Sequence, residues 1–411
     1  MSSKASVKDV RRNNRAILLR HLLLAGRSSR SEAGAATALS PATVTSVIAE
    51  LIDEGVILET GSIESDGGRP RTLLELNDDA AYVFGADVGE FSVTVGLFTL
   101  RLERVAERVV PFPQSPVRPE DVTEAIEAAI EDLRGHVPPG VPILGLGLGV
   151  PGIVQKVRSE SGTVSRVVHA QVIGWESVSF DSLSSRIGMR VYVDNGAKST
   201  TQAELWFGAA RGVEEAAVVL IGNGAGAGIV SAGALTRGSN SSAGEWGHTK
   251  ISLDGQTCLC GSRGCVMTFV GADAVLERWR GVGVREPGRE LVELAALFDR
   301  WRAGDSHAAS VVDTLVHHLG VALSNLVNLY NPQMIVISGW FGDVIADNLL
   351  EEVERSVRAF SLEQPGQDVL LERSRLRRDA VALGAATLPL DQFITTGWPH
   401  HTNPLFERTP Q

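Results

Sequence analysis

The residues best suited to chemistry are the three cysteines of the chain, Cys258, Cys260 and Cys265, which all fall within eight residues. His248 lies ten residues before the first of them. Three thiolates and one imidazole are a complete tetrahedral ligand set for zinc, and four protein ligands leave no open position for a catalytic water. We therefore predict a structural zinc ion held by these four residues.

Two glycines, Gly261 and Gly264, lie between the second and third cysteines. Glycine adopts the tight backbone turns that direct neighbouring sulfurs towards one point. The alternative is that the three thiols are buried or redox-active residues that cluster by accident. Because the chain has only 3 cysteines among 411 residues, accidental clustering is the weaker interpretation.

Charge is divided unevenly along the chain. The whole protein carries a net charge of −11, but residues 1–77 carry ten Lys and Arg against nine Asp and Glu, and residues 1–30 carry eight against one. A basic N-terminal part on an acidic remainder indicates that only the N-terminal part meets phosphates. The length predicts two or three domains.

Composition also bears on location. The sequence has no apolar run of the length that a membrane span requires, and its polar, basic N-terminus lacks the apolar segment of a secretory signal. Thiols gathered at a metal site, rather than paired in a disulfide framework, fit a reducing compartment. We expect a cytoplasmic protein without a membrane partner.

Residues 1–77 predict three helices. The first covers residues 9–25, and the second begins at Ser29, with Glu32 three residues later completing a capping box. The third is capped by Ser40 and ends before Gly55. The apolar residues of the third helix recur at helical spacing, so one of its faces is buried and the polar residues of its first turns point outwards.

Two predicted strands, residues 56–60 and 72–76, follow the third helix, and Gly67-Gly-Arg-Pro-Arg71 lies in the turn between them. This order predicts a winged helix-turn-helix, with the start of the third helix in the major groove and the wing arginines in the minor groove. The predicted DNA-contacting residues are Arg30, Ser40, Thr43, Thr45, Ser46, Arg69 and Arg71. The alternative is a small interaction domain whose basic face is merely solvated.

Strands and helices alternate over residues 78–390. This pattern predicts a two-lobed α/β body with a cleft between the lobes. A strand at residues 218–221 is expected to open a glycine-rich loop, Gly222–Gly228. The last segment, residues 391–411, is predicted to be a flexible tail.

Nearly the whole chain resembles the ROK family (repressors, open reading frames and sugar kinases). The matching motifs are the Gly-Gly-Arg-Pro-Arg71 wing, Asp87-Val-Gly89, Pro151-Gly152, Asp194-Asn195, the glycine loop, Gly244-Glu-Trp-Gly-His248, Cys258-Leu-Cys-Gly-Ser-Arg-Gly-Cys265, Asn331-Pro332 and the strand ending at Gly339. The resemblance implies an actin-like ATPase/sugar-kinase fold, zinc held by the histidine and three cysteines, and a homodimer or homotetramer. The sugar contacts it implies are Gly152, Asn195, Glu245 and His248.

Several positions depart from the catalytic pattern of ROK kinases. Gly196 replaces the aspartate that acts as general base, Glu90 replaces a phosphate-loop glycine, and Trp340 replaces a glycine beside the adenosine. Glycine cannot accept a proton, and one missing base costs a factor on the order of 10²–10⁴ in rate. Met267 replaces a sugar-binding glutamate, which favours a modified, deoxy- or N-acetylated sugar, or a non-sugar, as the ligand.

We therefore predict a DNA-binding transcriptional regulator of carbohydrate-related genes, most often a repressor in this family. Operator DNA would bind residues 1–77, and a sugar or sugar-derived effector would bind a body without kinase activity. One alternative is an active ATP-dependent sugar kinase with a fused DNA-binding domain. Another is a regulator controlled by a partner protein instead of a small molecule.

Overall fold

The computed structural model describes residues 6–65, 68–112, 117–158, 164–281 and 288–396. Its N-terminal part, residues 6–77, is called the head. The helices described in the head are α1 (Val7–Ala25), α2 (Arg30–Thr37) and α3 (Pro41–Asp53). Its strands are β1 (Ser28–Ser29), β2 (Ile57–Ser65) and β3 (Gly68–Leu76), which pair antiparallel in the order β1-β3-β2.

Serine side chains cap the N-termini of all three head helices. Ser29 forms a reciprocal capping box, and Ser40 accepts a hydrogen bond of 3.2 Å from the backbone three residues later. These caps pair N–H groups that a helix leaves without partners. Arg15 of α1 is buried and pairs with Glu50 of α3 and with Glu54, the residue that follows α3, which fixes the two helices against each other.

The first lobe follows the head. Its strands are β4 (Tyr82–Val88), β5 (Ser92–Thr99), β6 (Arg104–Pro111), β7 (Ile143–Val150), β8 (Ile153–Arg158), β9 (Val164–Ala170), β10 (Trp175–Val178) and β11 (Val191–Asn195). Its helices are α4 (Pro119–Arg134) and α5 (Asp181–Ile187). The main sheet has the order β11-β7-β4-β5-β6, with β4, β7 and β11 parallel, while β8, β9 and β10 form a separate antiparallel sheet.

The second lobe begins with α6 (Gly196–Phe207). Its strands are β12 (Ala216–Ile221), β13 (Ala225–Ser231), β14 (Ala234–Thr236), β15 (Met334–Ser338) and β16 (Leu370–Arg373), in the order β14-β13-β12-β15-β16. Its further helices are α7 (Met267–Val270), α8 (Ala272–Arg280), α9 (Glu290–Arg302), α10 (Ser306–Tyr330), α11 (Trp340–Phe360), α12 (Glu363–Asp368) and α13 (Ala380–Thr395).

The parallel strands place the predicted ligand residues together. The carboxyl ends of β4, β7 and β11 meet at one edge of the first sheet, so Asp87, Gly152 and Asn195 lie at that edge. Ligands of open α/β sheets bind at this edge. The chain leaves β11 directly into α6, which packs on β12 and β13 and so connects this edge to the second lobe.

α13 returns from the second lobe and packs on the first sheet across two glycines. A Cβ atom added at Gly147 of β7 would lie 1.8 Å from the carbonyl oxygen of Ala385, and one at Gly85 of β4 would lie 2.0 Å from that of Ala382. Neither distance allows a side chain. The glycines therefore let helix and strand backbones approach each other directly.

The head shares a hydrophobic core with the body. Buried leucines of α1, including Leu18 and Leu22, belong to the same cluster as Trp206 of α6 and Phe393 of α13. The guanidinium of Arg20 pairs with Asp391 and lies 5.4 Å from the centroid of the Trp206 ring, and that of Arg211 donates a hydrogen bond to the carbonyl of Leu24. The orientation of the head is therefore set by α6 and α13.

Within the described residues, α10 is long and apolar enough to cross a membrane. The helices α2 and α3 reach the same length and apolar character only when they are taken together, and they are bent by 118° relative to each other. More than half of the apolar window of α10 (56%) is buried. Its buried side chains belong to the core of the second lobe. α10 is thus the central core helix of that lobe.

The structure has the predicted two-lobed mixed α/β body, and two details differ from expectation. Residues 225–228 of the predicted glycine loop form the start of β13, because glycine and alanine allow close packing by neighbouring elements on this strand. α13 continues to Thr395, so the first residues of the predicted tail are helical. Residues 397–411 lie outside the described part of the chain.

The contact of α13 with β7 provides a test of the fold. We expect Gly147→Ala to lower the free energy of unfolding by about 3 kcal/mol or more, because overpacking against a backbone carbonyl cannot relax by rotamer change. Gly135→Ala is the control, since its φ is −61° and an added Cβ would meet nothing within 4 Å. Urea unfolding of both variants measures the difference, and equal midpoints would contradict the packing described.

Candidate functional site

The predicted zinc ligands come together in the second lobe. The ligand atoms of His248, Cys258, Cys260 and Cys265 all lie within 4.8 Å of one another. The Cys258 Sγ to His248 Nδ1 distance and the Cys260 Sγ to Cys265 Sγ distance are both 3.7 Å. Zinc–sulfur bonds of about 2.3 Å at tetrahedral angles separate two sulfurs by about 3.8 Å, so the cluster has the size of a zinc site.

The backbone around the cluster is shaped by Gly264, which has a φ of +68°. A Cβ there would lie 1.6 Å from the carbonyl oxygen of Ser252, so only glycine fits. Lys250 pairs with Cys265 across a β-bridge, and its Nζ donates to the Cys265 Sγ at 2.9 Å. Three thiolates around Zn²⁺ carry a net charge of −1, and this ammonium offsets it from the outer shell.

The histidine of the cluster is held in the form that binds metals. Burial lowers the pKa of His248, and the ammonium of Lys250 lowers it further. A neutral imidazole has a free nitrogen lone pair for a metal ion. The donor set, the distances and the protonation preference all fit zinc.

The loop that carries His248 also carries Glu245, and it lies along the edge of β13. Gly244, with φ +91°, brings its backbone so close that an added Cβ would lie 2.0 Å from the carbonyl of Ala227. Trp246 is buried and donates its indole N–H to the carbonyl of Ala322 in α10 at 2.9 Å. These contacts hold the loop at the cleft.

Asn195 and Gly152 are in direct contact. The Asn195 amide donates to the Gly152 carbonyl at 2.7 Å, and its oxygen accepts from the backbone N–H of Lys198, capping α6. The asparagine is therefore a helix cap as well as a predicted effector contact. It keeps one amide hydrogen and one oxygen lone pair for a ligand.

The carboxylate of Glu245 accepts no hydrogen bond from the part of the chain that the structure describes. Burial raises its pKa, while the nearby ammonium of Lys198 lowers it. The sequence analysis missed Lys198 and also Arg237, which pairs with the buried carboxylate of Asp194. A lysine in the first turn of a helix, where cations are unfavourable, was the signal available for Lys198.

Met267, which the resemblance places at a sugar-binding position, is buried. It belongs to a small apolar cluster with Cys258 and Cys265. Its apolar side chain therefore packs beside the predicted metal ligands. A flexible, polarizable thioether fills irregular gaps of this kind well. The expected preference for a modified sugar stays a prediction.

Glu90 and Trp340, two residues that depart from the ROK kinase pattern, both contact the loop after β12. Glu90, in the loop after β4, accepts a hydrogen bond of 2.8 Å from the amide of Asn223 in the second lobe. The indole of Trp340 lies against Gly222, with its Nε1 2.7 Å from where a Cβ would be. Burial raises the pKa of Asp87 at this edge to about 7.

The predicted DNA-contacting residues whose side chains the structure describes are exposed or half-buried. Thr45 and Ser46 are exposed on the first turns of α3, Thr43 is half-buried, and Arg71 is exposed on β3. Ser40 caps α3 and is exposed, while Arg30 donates to Glu59 at 2.8 Å and is partly exposed. The side chain of Arg69 lies outside the described part of the chain.

A two-lobed α/β body of the sugar-kinase type, with a metal cluster beside its cleft, is joined here to a three-helix head. A family model described as the ROK family matches residues 83–392, and the protein belongs to the ROK family. The body is similar in fold to a ROK glucokinase from Streptomyces griseus, with a TM-score of 0.62 and 24% identity over 75% of this chain and 99% of that one.

Relatives that match over the full length are regulators. The chain is 32% identical to a candidate xylose repressor of Caldicellulosiruptor sp. over 96% of this chain and 98% of that protein. It is 28% identical to the transcriptional dual regulator NagC of Escherichia coli over 93% of each. A ROK family transcriptional regulator, a homologue of the E. coli MLC protein, matches with a TM-score of 0.74 and 26% identity, over 95% of this chain and 98% of that one.

The metal cluster gives a direct prediction. We expect the purified protein to contain about one zinc per chain, and Cys265→Ser to lower zinc affinity by more than about tenfold, since loss of an outer-shell partner alone costs that much. Elemental analysis and thermal unfolding measure the metal content and its contribution to stability. Ser262→Ala, in the same loop, is the control that retains the metal. Full stability of a metal-free preparation would contradict a structural site.

Proposed function

We propose that the protein is a cytoplasmic transcriptional regulator, a repressor of carbohydrate-related genes, whose head binds operator DNA and whose cleft binds a sugar or sugar-derived effector. The observation that carries this proposal is the packing of a three-helix head with a β-hairpin onto a ROK body over one continuous core. The relatives matching the whole length of the chain are named as repressors and regulators.

The head offers the parts of a winged helix-turn-helix. Its third helix begins with exposed small polar residues, Thr45 and Ser46, which suit base edges in the major groove. β2 and β3 form the wing, and Arg71 provides a guanidinium on it for the phosphates or the minor groove. Arg30, Ser40, Thr43 and Arg69 complete the proposed interface. A homodimer or homotetramer would place two heads on an inverted repeat.

The effector would bind where Gly152, Asn195 and Glu245 face the cleft. A carboxylate without a hydrogen-bonding partner in the described chain and an amide with spare capacity suit vicinal hydroxyl groups. His248, as a metal ligand, would hold the Glu245 loop in position instead of transferring protons.

α6 provides a route from the cleft to the head. Its N-terminus is capped by Asn195, and its C-terminal Trp206 packs with α1 and with the Arg20 guanidinium. A helix of 12 residues is a rigid rod of about 18 Å. An effector that displaces the start of α6 would therefore turn the head, and a small rotation misplaces the second head of a dimer on its half-site.

The alternative, an active sugar kinase, is disfavoured by the chemistry of the cleft. Gly196 stands where the base would be, and the carboxylate nearest in sequence, Asp194, is buried in a pair with Arg237. Glu90 would repel a triphosphate, and the indole of Trp340 crowds the glycine loop. ATP-dependent turnover of any hexose that Glu245→Ala abolished would support the kinase alternative.

DNA binding is tested by gel shift with the DNA upstream of the protein's own gene and its neighbours. We expect Arg71→Ala to weaken binding about tenfold and to reduce the slope of log affinity against log salt by about 0.9, because each phosphate contact releases counterions. Arg355→Ala, an exposed arginine on α11 of the body, is the control. If neither variant differed from the original protein, the wing would have no part in binding.

Effector control is tested on the same DNA with a panel of sugars and sugar phosphates. We expect Glu245→Ala to keep its DNA affinity and to bind the releasing sugar at least about tenfold more weakly, because a hydrogen bond to a charged group contributes about 1.5–3 kcal/mol. Glu176→Ala, exposed on β10, is the matched control. Release of the variant by the same sugar at the same concentration would exclude Glu245 from the effector site.

A further inference from the structure

Lys198 is a buried lysine whose ammonium has no hydrogen-bonding partner among the residues that the structure describes. It lies in the first turn of α6, and only 1% of its surface is exposed. Its Nζ forms no hydrogen bond and no ion pair with the residues that the structure describes. Lysine is almost never fully buried unless it is paired, so this ammonium requires an explanation.

The position of Lys198 at the start of α6 makes its buried positive charge still less favourable. The N-terminus of an α-helix carries a partial positive charge, so a cation in the first turn is unfavourable and an anion is favourable. The cap of α6, the side chain of Asn195, is neutral. Neither the cap nor the helix provides the negative charge that would stabilise a buried ammonium.

The charged neighbours of Lys198 carry no net negative charge that would balance its ammonium. Its charge is favoured by Asp194 and Glu245 and opposed by Arg237. Asp194 is already paired with Arg237. Arg166, also near Asp194, donates to the carbonyl of Val193 at 2.8 Å and so brings a further cation.

Lys198 and these four neighbours make five ionisable groups, three cationic and two anionic. Glu245 is the one carboxylate of the set that has no ion pair in the described chain. A single additional negative charge would balance the group. Burial lowers the pKa of Lys198, which agrees with a site that is incomplete without a ligand.

We propose that Lys198 is a specificity-determining residue that binds an acidic group, a phosphate or a carboxylate, on the effector. The proposal rests on the effector cleft of the proposed function. Lys198 is placed by the helix that Asn195 caps, and it lies near Glu245 of the loop that carries His248. A ligand could therefore give its hydroxyl groups to Glu245 and Asn195 and its acidic group to Lys198.

A sugar acid satisfies both sides of this site, whereas a neutral sugar leaves the ammonium unpaired. A phosphate ester and a uronic acid share the chemistry that Lys198 would recognise, since each presents anionic oxygens to a donor. They differ in size and charge, so binding measurements separate them.

The first test needs no ligand. We expect Lys198→Met to raise the midpoint of thermal unfolding of the full-length protein, because it replaces an unpaired buried charge by an apolar chain of similar length. Lys156→Met, an exposed lysine on β8, is the control and should change the midpoint little. If Lys198 served to neutralise Asp194 and Glu245, its removal would lower the midpoint, and that result would overturn the proposal.

The second test is calorimetric titration with three matched probes: glucose, glucose 6-phosphate and glucuronate, followed by N-acetylglucosamine and its 6-phosphate. We expect at least one acid to bind more tightly than its neutral parent. We expect Lys198→Met to lower the affinity for that acid by about tenfold or more, because the acid interacts with the ammonium. The affinity for the neutral sugar should change by less than about threefold, because it does not use this charge. The preferred acid distinguishes phosphate from carboxylate.

The two proposals fail in different ways. If a neutral sugar binds best and Glu245→Ala abolishes its binding, the effector cleft stands and the acidic-group proposal is wrong. If the acids bind best but bind Lys198→Met as tightly as the original protein, another residue binds the acidic group. If no probe binds and the midpoint falls in Lys198→Met, both the sugar effector and the role of Lys198 are wrong.

Discussion

The cleft depends on the close approach of three backbones at β13. The first turns of α6 lie on the glycines of this strand, where a Cβ at Gly228 would be 2.0 Å from the hydroxyl of Thr201. The loop that begins at Gly244 lies along the edge of the same strand, with the Ala227 N–H donating to its carbonyl at 2.9 Å. Both α6 and this loop pack closely on β13, whose residues here are glycine and alanine. Glu245 is therefore brought next to the start of α6. A larger residue on β13 would separate them.

The cluster of His248 and the three cysteines lies at the other end of that loop. The loop has little regular secondary structure of its own, and a site of four ligands fixes such a segment as a disulfide or a small core would. Trp246 anchors its middle in the second lobe, and His248 anchors its end in the cluster. Glu245 is thus positioned from both directions, which a ligand contact requires and a solvated acidic loop does not.

Local signals predicted much of this structure. The serine caps of α2 and α3 and the cysteine spacing depend on residues close in sequence, and the structure has these caps and brings the cysteines together. The start of β13 was predicted as a loop, because its small residues are explained by packing partners that sequence spacing does not show. Lys198 was missed for the same reason: its isolation depends on Asp194 being paired with Arg237, more than forty residues away. Burial and charge balance arise from tertiary contacts.

The remaining contacts across the cleft indicate how such a fold serves regulation. In a kinase the two lobes must open and close around a nucleotide in every turnover. The polar side chains between the lobes then bind the phosphates of the nucleotide. Here Glu90 of the first lobe is bound to Asn223 of the second, and the adjacent glycine loop is covered by Trp340. A hydrogen bond between lobes contributes on the order of 1 kcal/mol, which is small against the differential affinity of several kcal/mol that a ligand needs to shift two states sharply. The contact can therefore favour one angle between the lobes and still be broken when an effector binds. A regulator that switches between two states requires such a contact.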